Sequence, residues 1–274
     1  MSHKSPSHSR ATIISYFRSS HKNRRAIVLR SLIEASPARP KMAPLTALPE
    51  VILSTLIFVP IWILLRHHVF EHGPIPHALR MLQIHNAIQV VVSIYLVTTI
   101  LLSTIDPNNL PKPVQSVAVT IQAHDSLLPR YSYHLSKMYE YVDIILFVSK
   151  GGHHGRADVD LHFGFHHLTT PYLSYFRFLH NYEGWRVFSF LNAFHHILMY
   201  SFFAGVGWTH GFLPFTGFLQ LIVGMLHGLW IAKGKAERGQ DVRADILAAG
   251  LLFCYFVLHT RETILRRTAR AKQE

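Results

Sequence analysis

Apolar residues come in long blocks along this chain. Met81 to Ile105 runs 25 residues without Asp, Glu, Lys or Arg, Val187 to Val206 runs 20, and Phe212 to Ala232 runs 21. Each meets the roughly 20 apolar residues an α-helix needs to cross about 30 Å of hydrocarbon. Leu48 to Leu65 is nearly continuous, with Glu50 near its start and Pro60 inside. Three weaker blocks follow the same spacing. Leu135 to Val148 carries Lys137, Glu140 and Asp143; Leu161 to Phe178 carries three histidines and Arg177; Ile246 to His259 is short and strongly apolar. Counted together, the blocks predict an all-α polytopic membrane protein with seven transmembrane helices. A soluble bundle with buried helices is the competing reading, and uncharged runs of this length argue against it. Most connections are short. Asp106 to Ser136 is long and holds Pro107, Pro111, Pro113 and Pro129, which reads as a surface loop or a partly re-entrant segment.

Residues 1–46 break the pattern. They are polar, basic and rich in Ser and Pro, without an Asp or Glu from Met1 to Ile33. That composition reads as a disordered tail; a transit peptide is the weaker alternative, and a start at Met42 is another. The division expected is a tail over 1–46, a seven-span domain over 47–262 and a basic tail over 263–274. Seven spans put the termini on opposite sides. The positive-inside rule claims the cytoplasm for Arg261, Arg266, Arg267, Arg270 and Lys272, and the basic N-terminal tail claims the same side.

Composition narrows the function classes. The chain has 274 residues and a formal charge of +12, yet only 15% of residues are charged, below the roughly 25% of a soluble domain. The basic residues crowd the two ends instead of forming a stripe, which argues against a nucleic-acid partner. One cysteine, Cys254, excludes a disulfide scaffold. Histidine is in excess, at 21 residues.

Ionisable groups inside a span normally face a bundle interior and mark function. Lys137, Glu140 and Asp143 follow at steps of three, so they form one slanted polar stripe on a helix. A surface ion pair with Lys137 snorkelling to the interface is the structural alternative. His162 and His166 share a helix face at i, i+4, and His167 lies about 100° round from His166. His153 and His154 sit in a Gly-rich loop and read as solvated. Asn192, His196, Met199 and Tyr200 fall on one face; His195 points elsewhere, and Met199 reads as packing. Gln220 reads as either a site residue or helix–helix glue. Clustered imidazoles can bind metal, move protons or act as nucleophiles.

These three clusters, in this order, resemble the fatty-acid elongase family, the very-long-chain 3-oxoacyl-CoA synthases of the endoplasmic reticulum. The family pattern K-x-x-E-x-x-D-T is similar to Lys137, Glu140 and Asp143, with Ile144 in place of Thr. Its H-x-x-H-H box is similar to the stretch ending in His166 and His167, with Phe163 where the first histidine belongs and His162 one residue earlier. Its N-x-x-x-H-x-x-M-Y pattern is matched by Asn192, His196, Met199 and Tyr200. His85, Asn86 and Ser93 upstream, and Thr216 and Gln220 downstream, resemble weaker signals; a second glutamine usual in the sixth span is missing. The resemblance covers Leu48 to Arg267.

The resemblance implies six helices closed round an acyl-chain tunnel. It implies condensation of a long-chain acyl-CoA with malonyl-CoA to 3-oxoacyl-CoA, CO2 and CoA, through an acyl-imidazole on His166. His162, His167 and His196 would complete the catalytic set. Lys137, Glu140, Asp143, Asn192, Tyr200 and Gln220 would support it. No metal and no bound cofactor are implied. The implied partners are acyl-CoA, malonyl-CoA, the bilayer, the reductases and dehydratase of the same cycle, and a second copy of the chain. Lys150 with Arg156, or Lys233 with Lys235, would hold CoA phosphates. Arg270-Ala-Lys272-Gln-Glu resembles a basic retrieval signal of endoplasmic-reticulum proteins; an ordinary basic membrane flank reads equally well. Two other readings stay open: a histidine-box di-iron hydroxylase or desaturase, and an elongase-like acyl-CoA-binding protein without turnover, which Phe163 keeps open.

Overall fold

The computed structural model describes residues 44–123, 127–152, 158–180 and 183–271. Those from Leu45 onward form one compact unit. The expected N-terminal tail, apart from residues 44–46, and the loop histidines His153 and His154 lie outside the described residues.

Every predicted span falls on a helix. These are α1 (Leu48–His72), α2 (Ala78–Leu102), α4 and α5 (Leu127–Tyr139 and Tyr141–Ser149), α6 (Leu161–Ser174), α7 (Trp185–Phe203), α8 (Leu213–Glu237) and α9 (Arg243–Ala271), with α3 (Lys112–Ala123) between α2 and α4. Among the described residues there is no strand, only an isolated bridge between Gly152 and Asp158. Four segments are long and apolar enough to cross a membrane: Leu48–His72, Ala78–Leu102, Gly207–Glu237 and Arg243–Leu265. With the all-helical fold, they make this a polytopic membrane protein. α7 is not among the four because one of its faces is polar, carrying Ser189, Asn192, His195 and His196. The last span exceeds its expected length, because helix continues from Arg243 through most of the stretch read as a basic tail.

The proline-rich connection is also more helical than its sequence suggests. Lys112–Ala123 is helical, and α4 starts at Leu127, ahead of the expected Leu135. Pro113 and Pro129 sit within the first turns of these helices, where an N–H has no intrahelical acceptor to lose.

Six of the spans close a ring. α2 packs along α7, α7 on α8, α8 on α9, α9 on α6, α6 on α4 and α5, and these return to α2. α1 stays outside, against α5 and α6. Three hydroxyls pin it there: Thr55 lies 2.8 Å from both Tyr141 and Tyr172. The rest of α1 offers Leu53, Leu56, Ile57, Ile61 and Leu64 outward, as a lipid-facing helix does. Inside the ring are aromatic and aliphatic residues, among them Tyr133, Phe178, Phe188, Leu252 and Tyr255.

Candidate active site

The site begins at a break in the third span. Tyr139 ends α4 and Tyr141 begins α5, and Glu140 sits between them with φ −62° and ψ −11°. Its side chain turns into the ring and is 1% exposed. Lys137 donates to Glu140 Oε1 at 2.6 Å. The lysine side chain is 4% exposed, so it does not snorkel: its ammonium has a buried carboxylate nearer than the interface. The stripe divides here, because Asp143 serves other partners. His85 Nε2 donates to its Oδ1 at 2.5 Å, and the Tyr200 hydroxyl donates to its Oδ2 at 2.7 Å.

α6 brings the histidine box. The Asp160 side chain caps the helix by accepting from the Phe163 amide at 2.7 Å. Pro171, inside the helix, supplies no N–H to the His167 carbonyl four residues back. Beyond it the backbone widens into a π-turn, Tyr175–His180. His167 Nδ1 lies 3.0 Å from the Glu140 carbonyl oxygen. It must donate there, which leaves the lone pair on Nε2.

α7 supplies the third group as its spacing predicts. Asn192, His196 and Tyr200 are buried on one face. His196 Nδ1 faces Glu140 Oε1 at 3.3 Å, and its Nε2 faces the Asn192 amide at 3.3 Å. That amide also donates to Gln220 Oε1 at 2.8 Å, and Asn192 Oδ1 accepts from Tyr133. Gln220 is therefore part of the network. Met199 is half-buried.

His166 differs from its neighbours. Among the described residues it makes no hydrogen bond. It lies against His167 and Tyr255, with ring centroids 5.2 and 4.9 Å away. It lines a narrow cavity of about 10 Å³, room for about one water, together with Lys137, Asn192, Gln220, Tyr133 and Tyr255. A ligand larger than water requires the aromatic walls of this cavity to move.

The remaining assignments separate. Phe163 faces away from the cavity and packs on His167 and Phe147. His162 takes the opposite side, 5.8 Å from His166 between ring centroids. The two candidate phosphate-binding pairs lie at opposite ends. Lys150 caps α5 at the histidine end, its ammonium 4.4 Å from the Phe147 ring centroid; burial lowers its pKa. Arg156 is outside the described residues. Lys235 lies near the far end of α8, buried, and donates to Asp245 at 3.1 Å, so it is not available at the mouth nearest His166. Cys254 is exposed, turned away from the ring interior.

Sequence reasoning missed Tyr133, Tyr139, Tyr255 and His259. Tyr139 completes the Asp143 chain, since its hydroxyl meets His85 Nδ1 at 3.1 Å. Tyr255 is positioned by Thr169, 2.8 Å away. One signal was legible: Tyr255 and His259 stand at i, i+4 in an apolar run, one polar stripe on an otherwise lipid-like helix.

Chemically, the arrangement offers a carboxylate-anchored lysine, three imidazoles with fixed tautomers, and one imidazole uncommitted on a cavity. Glu140, His166 and His167 also place one ligand atom each within 4.8 Å of one another, so among the described residues they could hold a metal ion.

Comparison with known proteins is consistent in direction. The family described as ELO (GNS1/SUR4 family) matches residues 44–261. A Dictyostelium discoideum protein named "Putative fatty acid elongase" is 28% identical over 202 residues, covering 68% of this chain and 66% of that protein. The match thus spans just under two thirds of the relative's length. No solved structure matches significantly.

Proposed function

The chain belongs to the ELO (GNS1/SUR4) family, and on that premise we propose that it is the condensing enzyme of fatty-acid elongation. It joins a long-chain acyl-CoA to malonyl-CoA and releases 3-oxoacyl-CoA, CO2 and CoA. We place it in the endoplasmic-reticulum membrane, on the family. The observation that carries the reading is His166: an imidazole with no hydrogen bond among the described residues, facing the interior cavity. Its neighbours each spend a nitrogen on a fixed partner. An imidazole attacks a thioester only through a free lone pair.

His166 takes the acyl group from the thioester. His167, held by the Glu140 carbonyl, keeps the lone pair on Nε2 and packs beside His166. Lys137 lines the cavity with N–H bonds beyond the one given to Glu140, and supplies them to the oxygen on which charge develops. Glu140 and Asp143 hold Lys137, His196 and His85 in place.

The test uses the purified protein in detergent with a series of saturated acyl-CoAs. Peptide mass spectrometry should find the acyl group on His166, and labelled malonyl-CoA should yield the 3-oxoacyl product. His166→Ala should lose both. Turnover retained in that variant overturns the nucleophile assignment. The triad Glu140, His166 and His167 gives a metal-dependent oxidation one observation in its favour, although Lys137 at 2.6 Å from the carboxylate opposes a dication there. Iron in the purified protein and loss of activity on chelation would replace the condensation reading with that one.

A further inference from the structure

Behind His166, on the side away from Glu140, stands a second group of imidazoles that the three motifs do not include. His162 of α6 and His259 of α9 have ring centroids 5.2 Å apart. His195 of α7 reaches the same place: a Cβ built on Gly217 of α8 would lie 3.5 Å from both the His195 and the His259 rings. Both rings thus lie within van der Waals contact of the same point on α8. Phe218 packs edge-on against His259 at 4.8 Å. The Thr216 hydroxyl donates to the Phe212 carbonyl, so it accepts from His195 Nδ1 at 2.8 Å and leaves Nε2 with the lone pair.

The two sides of His166 differ in exposure. His85, His167 and His196 are buried and tied to carboxylates or carbonyls, whereas His162, His195 and His259 are partly exposed as residues, with the Nε2 of His259 on the buried side of its ring. From α4, the Lys137 ammonium bears electrostatically on His195. On α9 the exposed-side ion pair Arg261–Glu262 follows one turn on. The box histidine expected at 163 is Phe163, turned toward α1 and α5, and the imidazole stands instead at 162, on the side of α9.

We propose that His259, acting with His162, is a proton relay between His166 and the aqueous end of the site. The inference rests on the condensation reading above, whose proton balance demands such a path. In the first half-reaction a bond forms between a His166 nitrogen and the acyl carbon, and the carbon–sulfur bond breaks. The proton on the other His166 nitrogen departs, and the CoA thiolate takes one up. In the second half, malonyl-CoA loses CO2 and its carbanion forms the new carbon–carbon bond. The nitrogen–carbon bond breaks, and the departing imidazole recovers a proton. One proton is drawn from solvent per turnover. The ring separations of 5.8 Å and 5.2 Å are closed by a ring rotation or one bridging water, and they lead outward from His166 to partly exposed groups. His259 touches no reacting atom and is a positioning residue in this sense.

The experiment uses full-length protein and reads kcat, its pH profile, its solvent deuterium isotope effect and acyl-His166 by mass spectrometry. His259→Ala should lower kcat about 10²-fold, within the usual range for a lost proton-transfer group. It should move the acid limb of the profile, and added imidazole should restore at least tenfold. His162→Ala with His259→Ala should fall no further than the worse single variant. His259→Gln is the second variant where the alanine protein fails to fold. A folded variant with kcat within twofold of the parent overturns the relay, as does a fall in kcat that imidazole does not rescue and that leaves pH profile and isotope effect unchanged. If His166 in the parent protein is never acylated, the condensation reading has failed instead.

Discussion

Two groups of buried charges occupy opposite ends of one helical ring, and they are built in opposite ways. At the histidine end Glu140 and Asp143 are each shared between several partners that come from different helices. The sharing leaves a cavity with an uncommitted imidazole on it. At the arginine end Asp245 of α9 lies against Arg177, from the π-turn after α6, at 3.8 Å and against Lys235 of α8 at 3.1 Å. Here space is filled: a Cβ on Gly228 would sit 3.0 Å from the Arg177 guanidinium. Both ends bury charge inside a bundle, and both would be flagged by the rule that intramembrane ionisable groups are functional. The difference is a lone pair with room in front of it. Burial alone marks a strong constraint, whereas burial beside a cavity marks chemistry.

The largest expected effect tests the arginine end. Asp245→Asn removes the carboxylate that faces two buried cations, and breaking a buried pair in this way costs about 3–5 kcal/mol. Thermal unfolding in detergent should show a large drop, while turnover per folded molecule holds. A variant that keeps its melting temperature and loses turnover would erase the distinction between the ends.

Asp143→Asn is the matching change at the histidine end, and its effect should appear in rate. The amide keeps an oxygen for His85 and loses the charge that faces His85 and His167. The expected loss in kcat is about 10²-fold, near 3 kcal/mol in barrier, with a smaller drop in melting temperature than Asp245→Asn. Equal stability losses at both ends would mean that Asp143 is a strut like Asp245.

Gly228→Ala should have an intermediate effect on stability alone. Alanine gains about 1 kcal/mol of helix propensity. It also displaces a guanidinium that is 1% exposed and already held by Asp245, and such overpacking costs about 1–3 kcal/mol. A net loss of about 1 kcal/mol is expected, read from thermal unfolding. A gain would show that the arginine end has slack, and the contrast with the cavity would weaken.

The two ends were not equally legible in sequence. The apolar blocks carried the seven spans, because bilayer thickness sets helix length directly. Asn192, His196 and Tyr200 were legible because one helix face converts spacing into convergence. Two things were not. Lys137, Glu140 and Asp143 read as a single stripe, yet the break at Glu140 sends its carboxylate to His196 while Asp143 goes to His85. That split depends on α2 and α7, which periodicity within one helix does not see. Arg177 and Asp245 lie in different helices with no motif between them, so the arginine end had no sequence signature. His259 belongs to the same class: its meaning comes from His162 and His195 on neighbouring helices.

The smallest effect comes from the same end and sharpens what burial does. Arg238 holds Glu183 through one guanidinium nitrogen, 2.9 Å from both carboxylate oxygens, with side chains 49% and 46% exposed. The residue types and distances match or better those of Arg177 and Asp245, and water makes the difference. Screened pairs of this kind contribute about 0–1 kcal/mol. Glu183→Gln should therefore change the melting temperature by a degree or two at most, and the change should shrink further in high salt. A loss comparable to Asp245→Asn would mean that the pair ties α7's entry to α8's exit as a structural clamp. The arginine end would then owe its rigidity to its rim, not to the buried ions beneath it.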